Sequence, residues 1–187
     1  MSINLPKKEL YLTTLSAYGK FINFLDFIQT LAIRAIKNSH NIPLYKIREA
    51  IETAKKDYQI DYPFARKHVT QTDGKEIFIY LGEDLINLTG KHKGQLNLKK
   101  IVEAYLEDLA FNDNGYANNY SPEKGIILNP KIRFGEPVLE KCGITAYTLY
   151  EAVQVEGGFE TVADIYEINI NDVKIAYKYF DSLKNVA

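Results

Sequence analysis

Residues 129–153 read NPKIRFGEPVLEKCGITAYTLYEAV, and this stretch decides how the second half of the chain folds. Pro130 and Pro137 exclude a helix through its first part, because proline lacks an amide donor and restricts the residue before it. Gly135 and Gly143 permit turns between short extended pieces. The stretch therefore predicts strands and turns, with a helix only after the second glycine.

Short strands and a capped helix are predicted around these turns. The extended pieces are 126–128 and 137–139, and Thr145 can cap a helix that begins near Ala146. The only cysteine, Cys142, lies between them. A nucleophilic cysteine would need a histidine converging on it, whereas a lone cysteine is usually a small apolar packing residue. We therefore predict that Cys142 packs beside the turn and is not catalytic.

Helices are predicted for most of the remaining chain. Their ranges are near 146–156, 159–166 and 171–183. Ala163 is followed by Val173 ten residues later and by Ala176 thirteen residues later, a spacing that lets two helices cross tightly in a helix-turn-helix. Glu167 replaces the usual glycine of the turn. Because the second helix exposes mixed charges, we expect this three-helix unit to serve mainly for protein contacts.

The first half of the chain predicts a helix pair followed by a hairpin. Two amphipathic segments, 23–40 and the helix that begins after Pro43, are joined by a polar turn. Their predicted inward residues are Phe24, Phe27, Ile28, Leu31, Ile33 and Ala35, and Leu44, Ile47 and Ile51. Asp73-Gly74 then suits a tight hairpin turn between two β-rich runs. Helical spacing returns in 98–111.

Basic side chains near this helix pair and hairpin are the candidates for contact with DNA. They are Lys46, Arg48, Arg66, Lys67, His68 and Lys75. A helix with a basic wing can hold a groove and an adjacent phosphate strand. The alternative is that the lysines only solubilise the helix and pair with its glutamates.

Composition and charge limit the class of protein. The 187 residues are 46% hydrophobic with one cysteine, and no apolar run approaches the roughly 20 residues of a membrane span. A polar N-terminus without a signal-peptide core favours the cytoplasm. Residues 1–100 contain 16 Lys+Arg against 10 Asp+Glu, and residues 101–187 contain 7 against 14. The split suggests a basic half for a polyanion and an acidic half for a basic protein.

These patterns predict an α+β, mostly helical fold with two domains. Residues 1–112 form a helix pair with a β-hairpin wing, 113–125 form a linker rich in turn formers, and 126–187 form a short-strand segment with three helices of helix-turn-helix type. The three histidines are scattered without a ligand partner at metal-site spacing, so we expect neither metal nor cofactor.

The carboxy-terminal half resembles domain-of-unknown-function family 433. The matching positions are Pro130, Gly135, Pro137, Gly143, Gly158, Ala163, Tyr166, Val173 and Ala176. The first half resembles the longer, VapB-type antitoxin branch of that family through three stretches: INFLDFIQTLAIRAIKNSHNIPLYKIREAI, PFARKHVTQTDGKEIF and GQLNLKKIVEAYLEDLAFNDNGYA. The resemblance implies a non-enzymatic antitoxin that neutralises a PIN-like ribonuclease toxin and represses its own operon as a homodimer.

Two departures from the family pattern bear on that implication. Ile144 and Thr145 stand where the family usually has a threonine-arginine step, and only about 20 residues precede the match, where longer relatives carry a MerR-like helix-turn-helix. Toxin binding is therefore implied more strongly than operator binding.

The residues expected to bind the toxin, or to mediate dimerisation, lie in and after the opening stretch. They are Arg133, Phe134, Glu136, Tyr147 and Tyr150. Two alternatives stay open from the sequence. One is a stand-alone winged helix-turn-helix transcriptional regulator, and the other is a small hydrolase that uses Cys142.

Overall fold

The computed structural model describes most of the chain. The described residues are 12–13, 22–67, 70–72, 77–81, 84–89, 99–100 and 108–184. In these ranges the fold is α+β, with five α-helices and antiparallel sheets. The chain divides into two compact units, an amino-terminal unit of Leu25–Asn118 and a carboxy-terminal unit of Asn119–Ala187 together with Met1–Phe24. No helix in the described ranges has the length and apolarity needed to cross a membrane.

Helix α1 (Phe24–His40) turns a narrower face to the core than the sequence predicts. Its buried residues recur every four positions, as expected for one face of a helix. They are Phe24, Ile28, Ala32 and Ile36. The first two were predicted, whereas Phe27, Leu31, Ile33 and Ala35 are only half-buried on the flanks.

Helix α2 (Leu44–Tyr58) buries Ile47, Ala50 and Ala54. The prediction that Leu44 points inward is wrong, since this side chain is 43% exposed. At 3.6 residues per turn, the centre of the face formed by Ile47 and the two alanines lies about 90° around the helix from Leu44. Ile51, also predicted inward, is half-buried and packs against the edge of the core.

A four-stranded antiparallel sheet completes the amino-terminal unit. Its strands are β3 (Thr70–Thr72), β4 (Ile77–Leu81), β5 (Asp84–Asn87) and β6 (Lys99–Lys100), in the order β5-β4-β3-β6. The predicted hairpin pairs β3 with β4 from Thr72 opposite Ile77, and its turn, 73–76, lies outside the described residues. Ile77 and Ile79 are fully buried in one core with helices α1 and α2 and with Phe64 of a short 3₁₀ helix, Pro63–Ala65.

Two predictions about residues 98–125 are wrong where the structure describes them. Instead of a helix over 98–111, the described residues contain β6 and strand β7 (Leu109–Phe111); residues 101–107 lie outside the described part. Instead of a linker over 113–125, strand β8 (Ala117–Glu123) pairs with β9 (Ile126–Leu128).

The predicted linker is a strand because the turn-forming residues are used in a tight turn just before it. Asn112 Oδ1 accepts hydrogen bonds from the amides of Asn114 (3.1 Å) and Tyr116 (3.0 Å), and the Asn112 amide bonds the Tyr116 carbonyl at 2.9 Å. With its turn formed there, the amide-rich segment that follows is free to pair with the apolar strand β9.

The carboxy-terminal unit is built from short strands and three helices. Strand β10 (Val138–Leu139) pairs with β9, β9 pairs with β8, and β1 (Leu12–Thr13) pairs with β2 (Ile22–Asn23). The helices are α3 (Ala146–Glu156), α4 (Phe159–Ile165) and α5 (Ile170–Lys184). Their ends lie within one residue of the predicted ends.

The small and apolar residues predicted at the α4–α5 crossing are buried. They are Ala163, Val173 and Ala176. Glu167 occupies the turn with φ of 52°, the left-handed conformation that glycine usually supplies. The Ile168 amide donates to the Ala163 carbonyl at 3.0 Å, which closes α4 and starts the turn into α5.

Candidate partner-binding surface

A short loop, 129–136, connects β9 to β10 and is fixed by its own hydrogen bonds. The amides of Ile132, Gly135 and Glu136 each donate to a carbonyl three residues earlier, at 2.8, 3.0 and 3.1 Å. Asn129 Oδ1 also accepts from the Lys131 amide at 2.9 Å. Each bond spans only two or three residues, so the loop holds its shape without support from a partner.

Left-handed backbone places Phe134 at the tip of this loop. Arg133, Phe134 and Gly135 have φ of 46°, 56° and 85°. The left-handed conformation costs a residue with a Cβ roughly 1–2 kcal/mol, and such strain collects at binding sites. The side chain of Phe134 is 78% exposed. An aromatic ring in water on strained backbone brings no stability to the free protein.

Helix α3 begins next to the same loop. The Ala146 amide donates to the Pro137 carbonyl at 2.8 Å, and Val138 forms an isolated bridge with Thr145. The predicted N-cap is confirmed, since Thr145 Oγ1 accepts from the Thr148 amide at 3.2 Å. Tyr147 is the next residue after Ala146, whose amide joins α3 to the end of the loop, and its side chain is 52% exposed.

We group the exposed side chains of the loop, of the start of α3 and of the end of α5 under one name, the aromatic surface. It consists of Ile132, Arg133, Phe134, Glu136, Tyr147 and Leu183. Leu183, 46% exposed, lies one helical turn beyond Phe180, whose ring centroid is 5.1 Å from that of Tyr147. The sequence predicts four of these residues, while Ile132 and Leu183 are identified only by their exposure.

Tyr150, the fifth predicted contact, lies beneath the surface. It is 6% exposed, and its ring stacks on Tyr177 at 5.0 Å and packs against Phe180 at 5.4 Å. Its burial leaves almost no area for a partner. Tyr150 supports Tyr147 from below, because both rings contact Phe180.

Cys142 is exposed, so the prediction that it packs beside the turn is wrong. The turn closes through its backbone alone. The Gly143 amide donates to the Leu139 carbonyl at 2.8 Å, and the Leu139 amide donates to the Ile144 carbonyl at 2.9 Å. Among the described residues, no three His, Cys, Asp or Glu side chains converge as a metal site.

Exposed carboxylates on and after the helices of the carboxy-terminal unit form a second group of candidate contact residues. Residues 142–173 contain no lysine or arginine, a signal that the sequence predictions missed. These carboxylates lie on α3, on α4 and in the turn after α4, and none forms an ion pair within the described residues. They are Glu151, Glu156, Glu160, Asp164 and Glu167, which we call the acidic helix face. The exposed apolar side chains of Val155 and Ile165 lie on the same helices.

The candidate DNA contacts of the amino-terminal unit are only partly available. The Arg66 guanidinium lies 4.9 Å from the ring centre of Tyr116, and the Lys67 amide donates to the Gly115 carbonyl at 2.6 Å. These contacts hold the turn before β8. Lys46 is half-buried and Arg48 is exposed, both on α2. His68 and Lys75 lie outside the described residues.

The division into units also redistributes the charge. Leu25–Asn118 contains 13 Lys+Arg and 13 Asp+Glu, and the other unit contains 10 and 11. The excess of positive charge in residues 1–100 is absent from this unit for two reasons. The net basic residues 1–24 belong to the other unit, and residues 101–118, which belong to this unit, add acids but no lysine or arginine. Net charge does not mark the amino-terminal unit as a polyanion binder.

An open cleft of about 380 Å³ lies at the junction of α1 and α2. Its walls are Lys37, Asn38, Asn41, Ile42, Pro43 and Leu44. It is wide open to solvent and contains no acid or base at catalytic spacing, so its shape does not indicate an enzyme site.

Comparison with known proteins finds similarity to a curated protein and to a solved structure. The chain is 24% identical over 167 residues to "putative antitoxin VapB45" of Mycobacterium tuberculosis (strain ATCC 25618 / H37Rv), covering 82% of this chain and 69% of that protein. The crystal structure of Rv2018 from Mycobacterium tuberculosis superposes with a TM-score of 0.57 at 16% identity, over 89% of this chain and 84% of that one. No family model matches the chain.

Proposed function

We propose that this protein is the antitoxin of a type II toxin–antitoxin pair and that it binds and neutralises a PIN-like ribonuclease toxin. The observation that carries the proposal is the similarity to the mycobacterial antitoxin over 82% of the chain. The resemblance to family 433 that the sequence of residues 129–180 suggests points to the same role, although no family model matches the chain. The exposed carboxylates give the proposed binder its means of contact with the toxin.

The acidic helix face is the side that we propose for the toxin. Its five carboxylates, which form no ion pair within the described residues, lie on α3, on α4 and in the turn after α4, and residues 142–173 contain no lysine or arginine. A nuclease that holds RNA needs a basic surface, and opposite charge accelerates association and fixes orientation. Val155 and Ile165 would add apolar contact. Neutralisation then follows by covering the RNA-binding surface, or by offering a carboxylate or a basic side chain to the metal-binding acidic site of the nuclease.

Binding to operator DNA, as a homodimer, is the second part of the proposal. Arg48 is the best-placed contact because it is exposed on α2, with Lys46 beside it. His68 and Lys75 of the predicted wing complete the set, whereas Arg66 and Lys67 are partly occupied by the turn at Gly115. The balanced charge of this unit predicts weak non-specific binding.

Co-expression with the toxin encoded beside the gene tests the first part. The wild-type protein should co-purify with the toxin and rescue growth. Glu151→Lys, Glu156→Lys and Asp164→Lys together should weaken co-purification at least about tenfold, because three attractions become repulsions. The matched control is Glu49→Lys, Glu52→Lys and Asp57→Lys on exposed positions of α2, with the same change in net charge. A wild-type protein that neither co-purifies nor rescues would remove the proposal.

A gel shift with the protein's own upstream region tests the second part. Specific binding should survive competitor DNA and be abolished by Lys46→Glu with Arg48→Glu, but not by Lys124→Glu with Lys131→Glu in the other unit. Equal loss from both pairs would show a non-specific charge effect and would count against operator recognition by α2.

A further inference from the structure

We infer that the aromatic surface is the contact between two copies of this chain, which meet loop to loop around a two-fold axis near Phe134. The inference deepens the homodimer included in the proposed function. Its evidence, however, comes from the geometry of residues 129–136 and does not depend on a toxin.

The first observation is that the loop presents an aromatic ring at the expense of backbone strain. Phe134 is 78% exposed with φ of 56°, between Arg133 and Gly135, which are also left-handed. The exposed apolar area and the left-handed conformation of an aromatic residue both raise the free energy of the isolated chain. Burial against a second molecule removes the first of these costs.

The second observation is that the loop needs no rearrangement to bind. Three backbone hydrogen bonds of 2.8–3.1 Å and the Asn129 side chain already fix it. A contact site that is ordered in advance loses little conformational entropy on association. The loop therefore suits a rigid surface that binds as it stands.

The third observation is the charge pattern on either side of Phe134. Arg133 and Glu136 are both exposed, carry opposite charges, and form no ion pair with another described residue. In a two-fold contact, residue i meets residue j while j meets i. Arg133 of each copy would then face Glu136 of the other, giving two equivalent ion pairs around the stacked rings. A patch with this pattern is complementary to itself, and for this reason we infer that its partner is a second copy of the chain.

The extent of the surface is the fourth observation. Stable protein contacts bury about 800 Å² on each partner, more than one loop supplies. The Ala146–Pro137 hydrogen bond joins the end of the loop to α3, and the Tyr147–Phe180 contact joins α3 to α5. Tyr147, Ile132 and Leu183 then supply the outer part of the contact.

Sedimentation equilibrium of the full-length protein, over a range of concentrations, tests the inference. The wild-type protein should dimerise. Arg133→Glu should weaken the dimer at least about tenfold and Glu136→Arg likewise, because each places two like charges across the axis. The double exchange, Arg133→Glu with Glu136→Arg, should restore the dimer, since the reciprocal pairs are re-formed. Phe134→Asn, which tolerates left-handed backbone, should give a folded monomer.

The controls are Lys124→Glu and Glu140→Arg, which reverse exposed charges elsewhere in the same unit. Each should leave the dimerisation constant unchanged. A wild-type monomer, a dimer insensitive to both single reversals, or a double exchange without recovery would each overturn the inference. Toxin co-purification tests the proposed function independently of the dimer. The single reversals at Arg133 and Glu136 leave the acidic helix face intact, and the triple reversal of the acidic helix face leaves the loop residues intact.

Discussion

The two compact units have nearly the same net charge but use their charged residues differently. In the amino-terminal unit, acids and bases are equal in number and Arg66 packs on Tyr116. In the carboxy-terminal unit, 32 consecutive residues lack a base, and a strained loop exposes Phe134. Segregation of charge and exposed apolar area, not net charge, therefore distinguish the unit proposed to bind proteins. The predictions below test this contrast between residues that hold a unit together and residues that face a partner.

The largest effect is expected from the core of the carboxy-terminal unit. Leu149 is fully buried, so Leu149→Ala should lower the free energy of unfolding by about 3 kcal/mol through lost burial and a residual cavity. Leu183→Ala, at a 46% exposed position of the aromatic surface, should lower it by less than about 0.5 kcal/mol while weakening dimerisation. Urea unfolding measures both. Equal losses of stability would show that Leu183 is part of the core.

The helix cap beside the aromatic surface gives the next effect. Thr145→Ala should lower the free energy of unfolding by about 1 kcal/mol, because the amides that begin α3 lose their acceptor. Thr161, exposed within α4, is the matched control, and Thr161→Ala should be neutral or slightly stabilising. Circular dichroism during denaturation measures the difference, and no difference between the two variants would contradict the capping role.

Arg66 tests whether a basic residue of the amino-terminal unit is structural. Arg66→Ala should lower the free energy of unfolding by about 0.5–1 kcal/mol, because the guanidinium no longer packs over Tyr116. Tyr116→Leu should cost a similar amount, and the double variant should cost less than the two single losses added together. Additive losses would show that the pair does not interact. Loss of DNA binding at full stability would return Arg66 to the operator contacts.

The remaining effect is confined to alkaline pH. Burial, followed by the nearby Tyr120 and Glu123, raises the pKa of Tyr179 to about 12. The unfolded chain releases this proton near pH 10, so the folded state binds more protons between pH 10 and 12 and its stability falls across that window. Tyr179→Phe should make the decline shallower, as measured by urea unfolding at pH 9, 10.5 and 11.5. An unchanged slope would show that Tyr179 does not contribute.

Much of the carboxy-terminal unit was predictable because its signals are local. A threonine cap, prolines and paired glycines fix where helices begin and end, and they placed α3, α4 and α5 to within one residue. Tertiary pairing decides the described parts of residues 98–125. Lys99–Lys100 and Leu109–Phe111 are strands where helical spacing predicted a helix, and Ala117–Glu123 is a strand where turn formers predicted a linker. The sequence also did not predict which aromatic side chains are exposed. Tyr147 and Tyr150 are one helical turn apart, and the contact of Tyr150 with Tyr177 shows that Tyr150 is the buried one.

The candidate surfaces were predictable in part. The left-handed backbone at Arg133 and Phe134 has no sequence signal beyond Gly135, because residues with side chains rarely adopt it. The acidic helix face, by contrast, is visible as the missing bases of residues 142–173.

Inhibition of the purified toxin's ribonuclease activity by this purified protein tests the antitoxin proposal most directly. The wild-type protein should abolish RNA cleavage at a fixed, near-equimolar ratio. The variant with Glu151→Lys, Glu156→Lys and Asp164→Lys should need at least about ten times more protein, while the α2 control variant should match the wild type. Full cleavage at a large excess of wild-type protein, or equal inhibition by all three proteins, would contradict the proposed role of the acidic helix face.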